Sequence, residues 1–112
     1  MTSARFARII TMKAKSGKGD EFEKQFREGV AKTAVDIKGM RRLYLLRAVE
    51  KDDEFVAISL WDGRRAAEEY AKSGKNRRYE EGLASAQEGK ETVTKYRVAV
   101  HVLGRGIADT EE

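Results

Sequence analysis

The fold of this chain is constrained most by the segment from Asp53 to Gly63, which reads DEFVAISLWDG. Its residues alternate between two faces over the length of a typical strand, and Asp62 directly after Trp61 is suited to cap a helix. A second alternating segment, Met40 to Val49, precedes it across a short charged turn. This arrangement predicts an antiparallel hairpin followed by a helix.

Two further strands and one more helix surround this hairpin. Phe6 to Ala14 alternates as a first strand, and Thr92 to Leu103 alternates as a last one. Between the first strand and the hairpin, Asp20 is expected to cap an amphipathic helix that ends near Gly39. The helix after Asp62 carries Ala66, Ala67, Tyr70 and Ala71, breaks at Ser73-Gly74, and resumes with Tyr79, Leu83 and Ala86.

The predicted order is therefore strand, helix, strand, strand, helix, strand. Right-handed crossovers turn this order into an α+β, ferredoxin-like βαββαβ domain, a four-stranded antiparallel sheet with helices on one face. We expect residues 1–104 to form this domain and residues 105–112 a polar tail. Several strands are apolar on both faces, as where Ile9 adjoins Ile10 and Leu46 adjoins Leu45. The face without helices needs a cover, so a homodimer is expected.

Composition limits the classes of function. The chain has 112 residues, 40% of them hydrophobic and 38% charged, which fits one folded domain. Its 23 basic residues are interspersed with 19 acidic ones, so the net charge of +4 indicates a mixed, solvated surface and no nucleic-acid partner. An RNA-recognition module shares the strand order, but Asp53 to Trp61 lacks its pattern of stacking aromatics.

Features that the sequence lacks exclude further classes of function. The chain has no cysteine, which excludes thiolate catalysis and cysteine-based metal sites. No signal peptide and no run of about 18 apolar residues is visible, so we expect a cytoplasmic protein with no membrane partner.

Several short motifs point to a known family. They are the turn from Lys15 to Phe22, the Lys38-Gly39-Met40 entry to the second strand, the Leu45-Leu46-Arg47 run, the strand from Phe55 to Trp61, and Ala66 with Tyr70. With these motifs, the chain from about Ala7 to Leu103 resembles the antibiotic biosynthesis monooxygenase family of dimeric α/β barrels. It departs from that family at Ser16, Lys38 and Ser73-Gly74, where proline is usual. The resemblance implies two ferredoxin-like units with their sheets packed together, each with a pocket between sheet and helices.

For some members, the resemblance also implies a cofactor-independent oxygenation of a small aromatic or quinol-type compound, and this is the function we expect. In such a reaction the deprotonated substrate gives electrons to oxygen, so the pocket needs apolar walls, a base and donors for an enolate or phenolate. The catalytic candidates are His101 as base, Trp61 and Tyr70. The candidates for substrate binding are Tyr44, Arg42, Arg97, Phe55 and Ser59. Packing is the competing interpretation for Trp61 and Tyr70.

Two alternatives stay open. A heme-degrading branch of the family uses an asparagine on the first strand, a tryptophan on the second helix and a histidine about ten residues further on. The nearest positions here are Ala7, Tyr70 and Glu80, and none of them matches, so we expect no metal and no cofactor, with heme kept as an alternative. A non-catalytic, ligand-binding or stress-linked dimer is the other alternative, because nothing in the sequence certifies catalysis.

Overall fold

The fold is built on one four-stranded antiparallel sheet. The computed structural model describes residues 4–74 and 83–106. Its strands are β1 (Phe6–Lys13), β2 (Met40–Arg47), β3 (Glu54–Trp61) and β4 (Thr92–Arg97). The helical elements are α1 (Gly19–Phe26), a π-helical segment (Arg27–Ala31), α2 (Lys32–Ala34) and α3 (Arg64–Lys72). The strand order β2-β3-β1-β4, with every neighbouring pair antiparallel, confirms the predicted ferredoxin-like fold.

The alternation along β3 decides where the core lies. Its odd-numbered residues, from Phe55 to Trp61, are buried, whereas the residues between them are half-buried. Phe55 packs against Phe22 of α1 with ring centroids 4.6 Å apart, at the centre of the larger hydrophobic cluster. Trp61 packs with Phe6 and Ala67 in a smaller cluster under α3. The helices therefore cover one face of the sheet and bury its aromatic side chains.

The opposite face of the sheet, here called the outer face, is apolar and partly exposed. Tyr44, Leu46 and Tyr96 are 45%, 48% and 51% exposed. Directly opposed residues of an antiparallel pair point to the same face of the sheet. The strand register therefore identifies the other residues of the outer face. The remaining apolar members of the outer face are Ala7, Ile9, Val56, Ile58 and Leu60. Large exposed apolar patches are typical of interaction surfaces, so the outer face is the candidate surface for self-association.

Both predicted helix caps are wrong. α1 begins at Gly19, so Asp20 lies inside the first turn, where its negative charge still suits the helix dipole. α3 begins at Arg64 with Gly63 at the N-cap position and no side-chain cap. Asp62 instead accepts a hydrogen bond from Arg41 at 3.0 Å.

The last strand is shorter than predicted. It ends at Arg97, which pairs with Phe6 at the start of β1, and the Val98 N–H makes one further bond to the Arg5 carbonyl. Beyond that point β1 offers no backbone to pair with, so the alternating residues up to Leu103 lie outside the sheet. The predicted return of the second helix begins at Tyr79, outside the described residues. In its described part Leu83 is helical, but residues 84–86 form a turn and Gln87 pairs with Ala14, so the helix does not extend through Ala86 as predicted. Positions 107–112 of the predicted tail also fall outside the described residues.

Gly39 should tolerate no side chain. Its φ is +85°, and a Cβ there would lie 2.5 Å from the Cβ of Ala66 on α3. Gly39→Ala should therefore lower the free energy of unfolding by about 2–4 kcal/mol, through backbone strain and overpacking. Gly17→Ala is the matched control, because Gly17 has a φ of +76° but open space around it, so about 1 kcal/mol is expected. Urea denaturation measures both changes, and equal losses would contradict the close Gly39–Ala66 contact.

Candidate functional site

A cavity of about 100 Å³ lies between the helix-covered face of the sheet and the helices. Most of its wall is apolar and comes from β1, β2, β3, the first helix and the residues that follow it. The polar side chains in its lining are Arg8, Ser59, Trp61, Tyr70, Gln87 and Glu91. An apolar enclosure with a few polar groups is the usual form of a small-molecule site.

Trp61 and Tyr70 form the aromatic wall of the cavity. Trp61 is fully buried at the end of β3, and its ring centroid lies 5.6 Å from that of Tyr70 on α3. The Trp61 Nε1–H donates to the Ser59 hydroxyl at 2.9 Å. That hydroxyl in turn donates to the backbone carbonyl of Arg8 at 3.5 Å. This chain of hydrogen bonds fixes the indole orientation, as expected for a buried tryptophan with a polar tip.

Arg8 brings a positive charge to the same wall. It is opposite Ser59 in the β1–β3 register and therefore points to the helix-covered face. Its Nε atom is buried and has no hydrogen-bond partner among the described residues. An unpaired buried donor on a cation is costly, about 1–3 kcal/mol or more. Such an orphaned donor beside a cavity is a ready partner for a ligand acceptor.

Glu91 and Gln87 form the polar edge of the cavity. The Gln87 side-chain amide donates to the Glu91 carboxylate at 3.1 Å and to the Gly89 carbonyl at 3.3 Å. Glu91 is exposed and Gln87 half-buried, so this pair lies where the cavity meets solvent. Glu91 is the carboxylate that the described lining contains, and a carboxylate can accept a proton from a bound ligand.

The structure brings three of the predicted site residues together. Trp61, Tyr70 and Ser59 all line the cavity. Phe55 lies on the same face of the sheet but in the larger cluster, where it contacts Phe22 and the Arg47 guanidinium, the latter 5.4 Å from the ring centroid. Phe55 therefore supports the wall from outside the cavity.

The other four predicted residues lie elsewhere. Arg42 and Tyr44 are opposite Leu60 and Ile58 in the β2–β3 register, which places them on the outer face. Arg97 is exposed at the end of β4. His101 is exposed in the segment beyond β4, not on the last strand as predicted. None of these four belongs to the described lining of the cavity.

Three polar lining residues, Arg8, Gln87 and Glu91, were missed by the sequence reasoning. Arg8 carried a usable signal, because the alternation of β1 places it on the same face as Ile10 and Met12, and a charge on a buried face is unusual. Gln87 and Glu91 lie in a connection without regular periodicity, so no pattern assigns them to the cavity.

Residues 5–89 match the model of a family described as antibiotic biosynthesis monooxygenase. The chain therefore belongs to the antibiotic biosynthesis monooxygenase family. No curated protein matches the chain significantly in sequence.

Solved structures share the fold. A variant of SnoaB, a cofactor-independent oxygenase from Streptomyces nogalater, is 20% identical with a TM-score of 0.75, and the match covers 89% of this chain and 98% of SnoaB. A protein of unknown function from Nitrosomonas europaea is 11% identical with a TM-score of 0.77, covering 95% and 100% of the two chains. A Pseudomonas aeruginosa protein is 18% identical with a TM-score of 0.71, covering 89% and 99%. At such identities the likeness establishes the fold alone.

Residues 4–74 and 83–106 contain neither a metal-binding cluster nor a membrane-spanning helix. No group of three or more histidine, aspartate or glutamate side chains there is arranged to hold a metal ion. In the same part of the chain, no helix has the length and apolar character needed to cross a membrane.

Proposed function

We propose that this protein is a homodimeric, cofactor-independent monooxygenase that acts on a small aromatic or quinol-type compound in the cavity beside Trp61. The observation that carries this proposal is the convergence of an aromatic wall, Trp61 and Tyr70, with the unpartnered Nε of Arg8 on one apolar cavity. Membership of the monooxygenase family supports the reaction class. SnoaB, which has the same fold, is named as a cofactor-independent oxygenase.

The chemistry uses the substrate as its own electron source. A phenol loses its O–H proton, and the electron-rich ring then reduces O₂ and forms a carbon–oxygen bond at a ring carbon that carries hydrogen. Cleavage of the O–O bond leaves one oxygen atom on the ring as a quinone carbonyl. The other oxygen atom leaves as water with the two hydrogens from the O–H and the C–H. The balance is therefore phenol plus O₂ to quinone plus water.

The cavity offers a group for each need of this reaction. Glu91 at its edge accepts the phenol proton, and Arg8 supplies positive charge that favours an anionic ligand in the cavity. Trp61 and Tyr70 hold the ring by stacking, since offset or tilted aromatic pairs at such distances are favourable. His101 is not needed as a base in this scheme, because it is exposed beyond β4.

The size of the cavity limits the size of the substrate. A volume of about 100 Å³ is smaller than the ~150 Å³ of an apolar cavity known to hold one benzene molecule. A one-ring compound is therefore the largest that the cavity could hold, and its binding requires the walls to shift outward. We propose a single-ring phenol or quinol as substrate.

Heme does not fit this cavity. The described lining contains no histidine to ligate iron, and ligand sites for larger molecules have volumes of about 300–1,000 Å³. Of the three positions relevant to heme, Ala7 lies on the outer face and Tyr70 on α3, while Glu80 is outside the described residues. A non-catalytic ligand-binding dimer is the second candidate function. It is favoured because the described lining contains one carboxylate, Glu91, and therefore few groups that could act as a base.

Oxygen labelling tests the proposal. Resorcinol is a one-ring phenol, and its incubation with the protein under ¹⁸O₂ should give a hydroxyquinone with one ¹⁸O atom, one O₂ consumed per product and no hydrogen peroxide. Tyr70→Phe should slow turnover about 10-fold or more, because it keeps the stacked ring but removes the hydroxyl that positions the phenolate. Mass spectrometry and an oxygen electrode measure these quantities.

The control is Tyr96→Phe, the same change on the outer face. It should leave turnover unchanged. Binding of resorcinol without any oxygen uptake above the protein-free rate would favour the ligand-binding dimer over the enzyme.

A further inference from the structure

We infer that the substrate of the cavity is an aromatic anion, which enters from a groove between α3 and β4 and binds with its charge between Arg8 and Lys95. This inference rests on the proposed function, because it names the substrate class of the same site. It predicts a permanent anionic substituent, such as a carboxylate, on the ring.

Arg8 connects the cavity to the surface. Besides lining the cavity, it borders an open groove of about 430 Å³ whose other walls are Ala67, Glu68, Ala71, Lys72 and Lys95. The groove runs between one face of α3 and the exposed strand β4. Because Arg8 lines both spaces, we take the groove as a second opening of the cavity, besides the edge at Gln87 and Glu91.

The groove carries unbalanced positive charge. Arg8 and Lys95 are directly opposite one another in the β1–β4 register. Like charges at directly opposed positions of adjacent strands destabilise a sheet. Arg8 forms no ion pair with any described residue. A bound carboxylate between the two side chains would turn this repulsion into two charge-assisted hydrogen bonds.

Glu68, the carboxylate among the described residues of the groove, is already hydrogen-bonded. Glu68 accepts a hydrogen bond from Arg64 at 2.7 Å on the exposed side of α3. That bond lowers the pKa of the Glu68 carboxyl, and the nearby charges of Lys95 and Lys72 lower it further. Among the described residues that line the groove, three cations, Arg8, Lys72 and Lys95, therefore face one carboxylate. Such an excess steers anions toward the entrance.

Glu91 sets the orientation of the ligand. Its carboxylate is at a different part of the cavity lining from the groove, and it repels a second negative charge there. A ring with one anionic substituent toward Arg8 and a neutral phenol toward Glu91 places an opposite charge beside Arg8 and avoids a like charge beside Glu91. The compound 4-hydroxybenzoate has this chemistry, and 4-hydroxybenzamide is its neutral counterpart.

Fluorescence titration tests the inference. Trp61 is the single tryptophan of the chain and lines the cavity, so its emission reports binding there. The wild-type protein should bind 4-hydroxybenzoate about 10- to 100-fold more tightly than 4-hydroxybenzamide, the range expected for hydrogen bonds to a charged group. Arg8→Gln and Lys95→Gln should each remove most of this preference, and added salt should weaken it.

Arg65→Gln is the matched control, because Arg65 is an exposed cation of α3 that borders neither the cavity nor the groove. It should keep the preference for the acid. Circular dichroism checks that each variant is folded, and Arg8→Lys, which keeps the charge, should retain part of the preference.

Equal affinity for the acid and the amide would overturn the inference and leave the proposed function standing. An unchanged preference in both Arg8→Gln and Lys95→Gln would also overturn it. If neither probe binds while resorcinol is oxygenated, the inference fails alone. If no ring compound binds or reacts, the proposed function fails with it.

Discussion

Trp61→Ala is expected to lower the free energy of unfolding by about 3–5 kcal/mol, the usual effect of emptying a large aromatic site in a core. Trp61 is fully buried and packs against Phe6, Ala67 and Tyr70. Small domains are stable by only about 5–15 kcal/mol, so this variant should unfold at much lower urea concentration. Urea denaturation followed by far-ultraviolet circular dichroism measures the loss without depending on the indole.

Trp61→Phe separates the hydrogen bond from the packing. It keeps a ring in the site but leaves the Ser59 hydroxyl without the donor now 2.9 Å away, so a smaller loss of about 1–2 kcal/mol is expected. The control is Val49→Ala at an exposed position, where less than about 0.5 kcal/mol should be lost. A loss below about 1 kcal/mol in Trp61→Ala would contradict the buried aromatic wall.

Ile58→Arg is expected to convert the proposed homodimer into monomers of 12.6 kDa. Ile58 lies at the middle of the outer face, between Ile9 of β1 and Tyr44 of β2. A buried charge without a partner costs about 3–5 kcal/mol, and twofold symmetry introduces the charge twice. Size-exclusion chromatography with light scattering measures the mass of the wild-type protein and the variant at the same concentration.

Val35→Arg is the matched control for this change. Val35 is 84% exposed and follows α2, so it belongs to no strand of the outer face. It should leave the dimer intact. A wild-type monomer, or a dimer that persists in Ile58→Arg, would show that the outer face is not the self-association surface.

The fold could be predicted from the sequence because its signals are periodic. Alternation along Phe55 to Trp61 identifies both a strand and its buried face, and the short charged turn before it requires a hairpin. The length of β4 could not be predicted in the same way. A strand lasts only as long as its neighbour, and β1 begins at Phe6, so the alternation after Arg97 has no partner.

The site could be predicted only in part, for a related reason. Residues of one strand can be assigned to a common face by parity, which correctly groups Ser59 with Trp61. Assigning Arg42 and Tyr44 to either face requires the β2–β3 register, and this register contains a bulge between Met40 and Arg42. Glu91 reaches the cavity from an irregular connection, which no period describes. The catalytic roles of Trp61 and Tyr70 stay predictions, and His101, which is exposed beyond β4, has no role in the proposed scheme.

Native mass spectrometry of the protein, purified gently from the organism that makes it, tests the central claim most directly. One spectrum reports the number of subunits and any small molecule retained without a covalent bond. We expect a dimer that carries a one-ring aromatic compound, which is lost when Trp61 is replaced by alanine. A monomer without a ligand, or a dimer that carries heme, would contradict the claim.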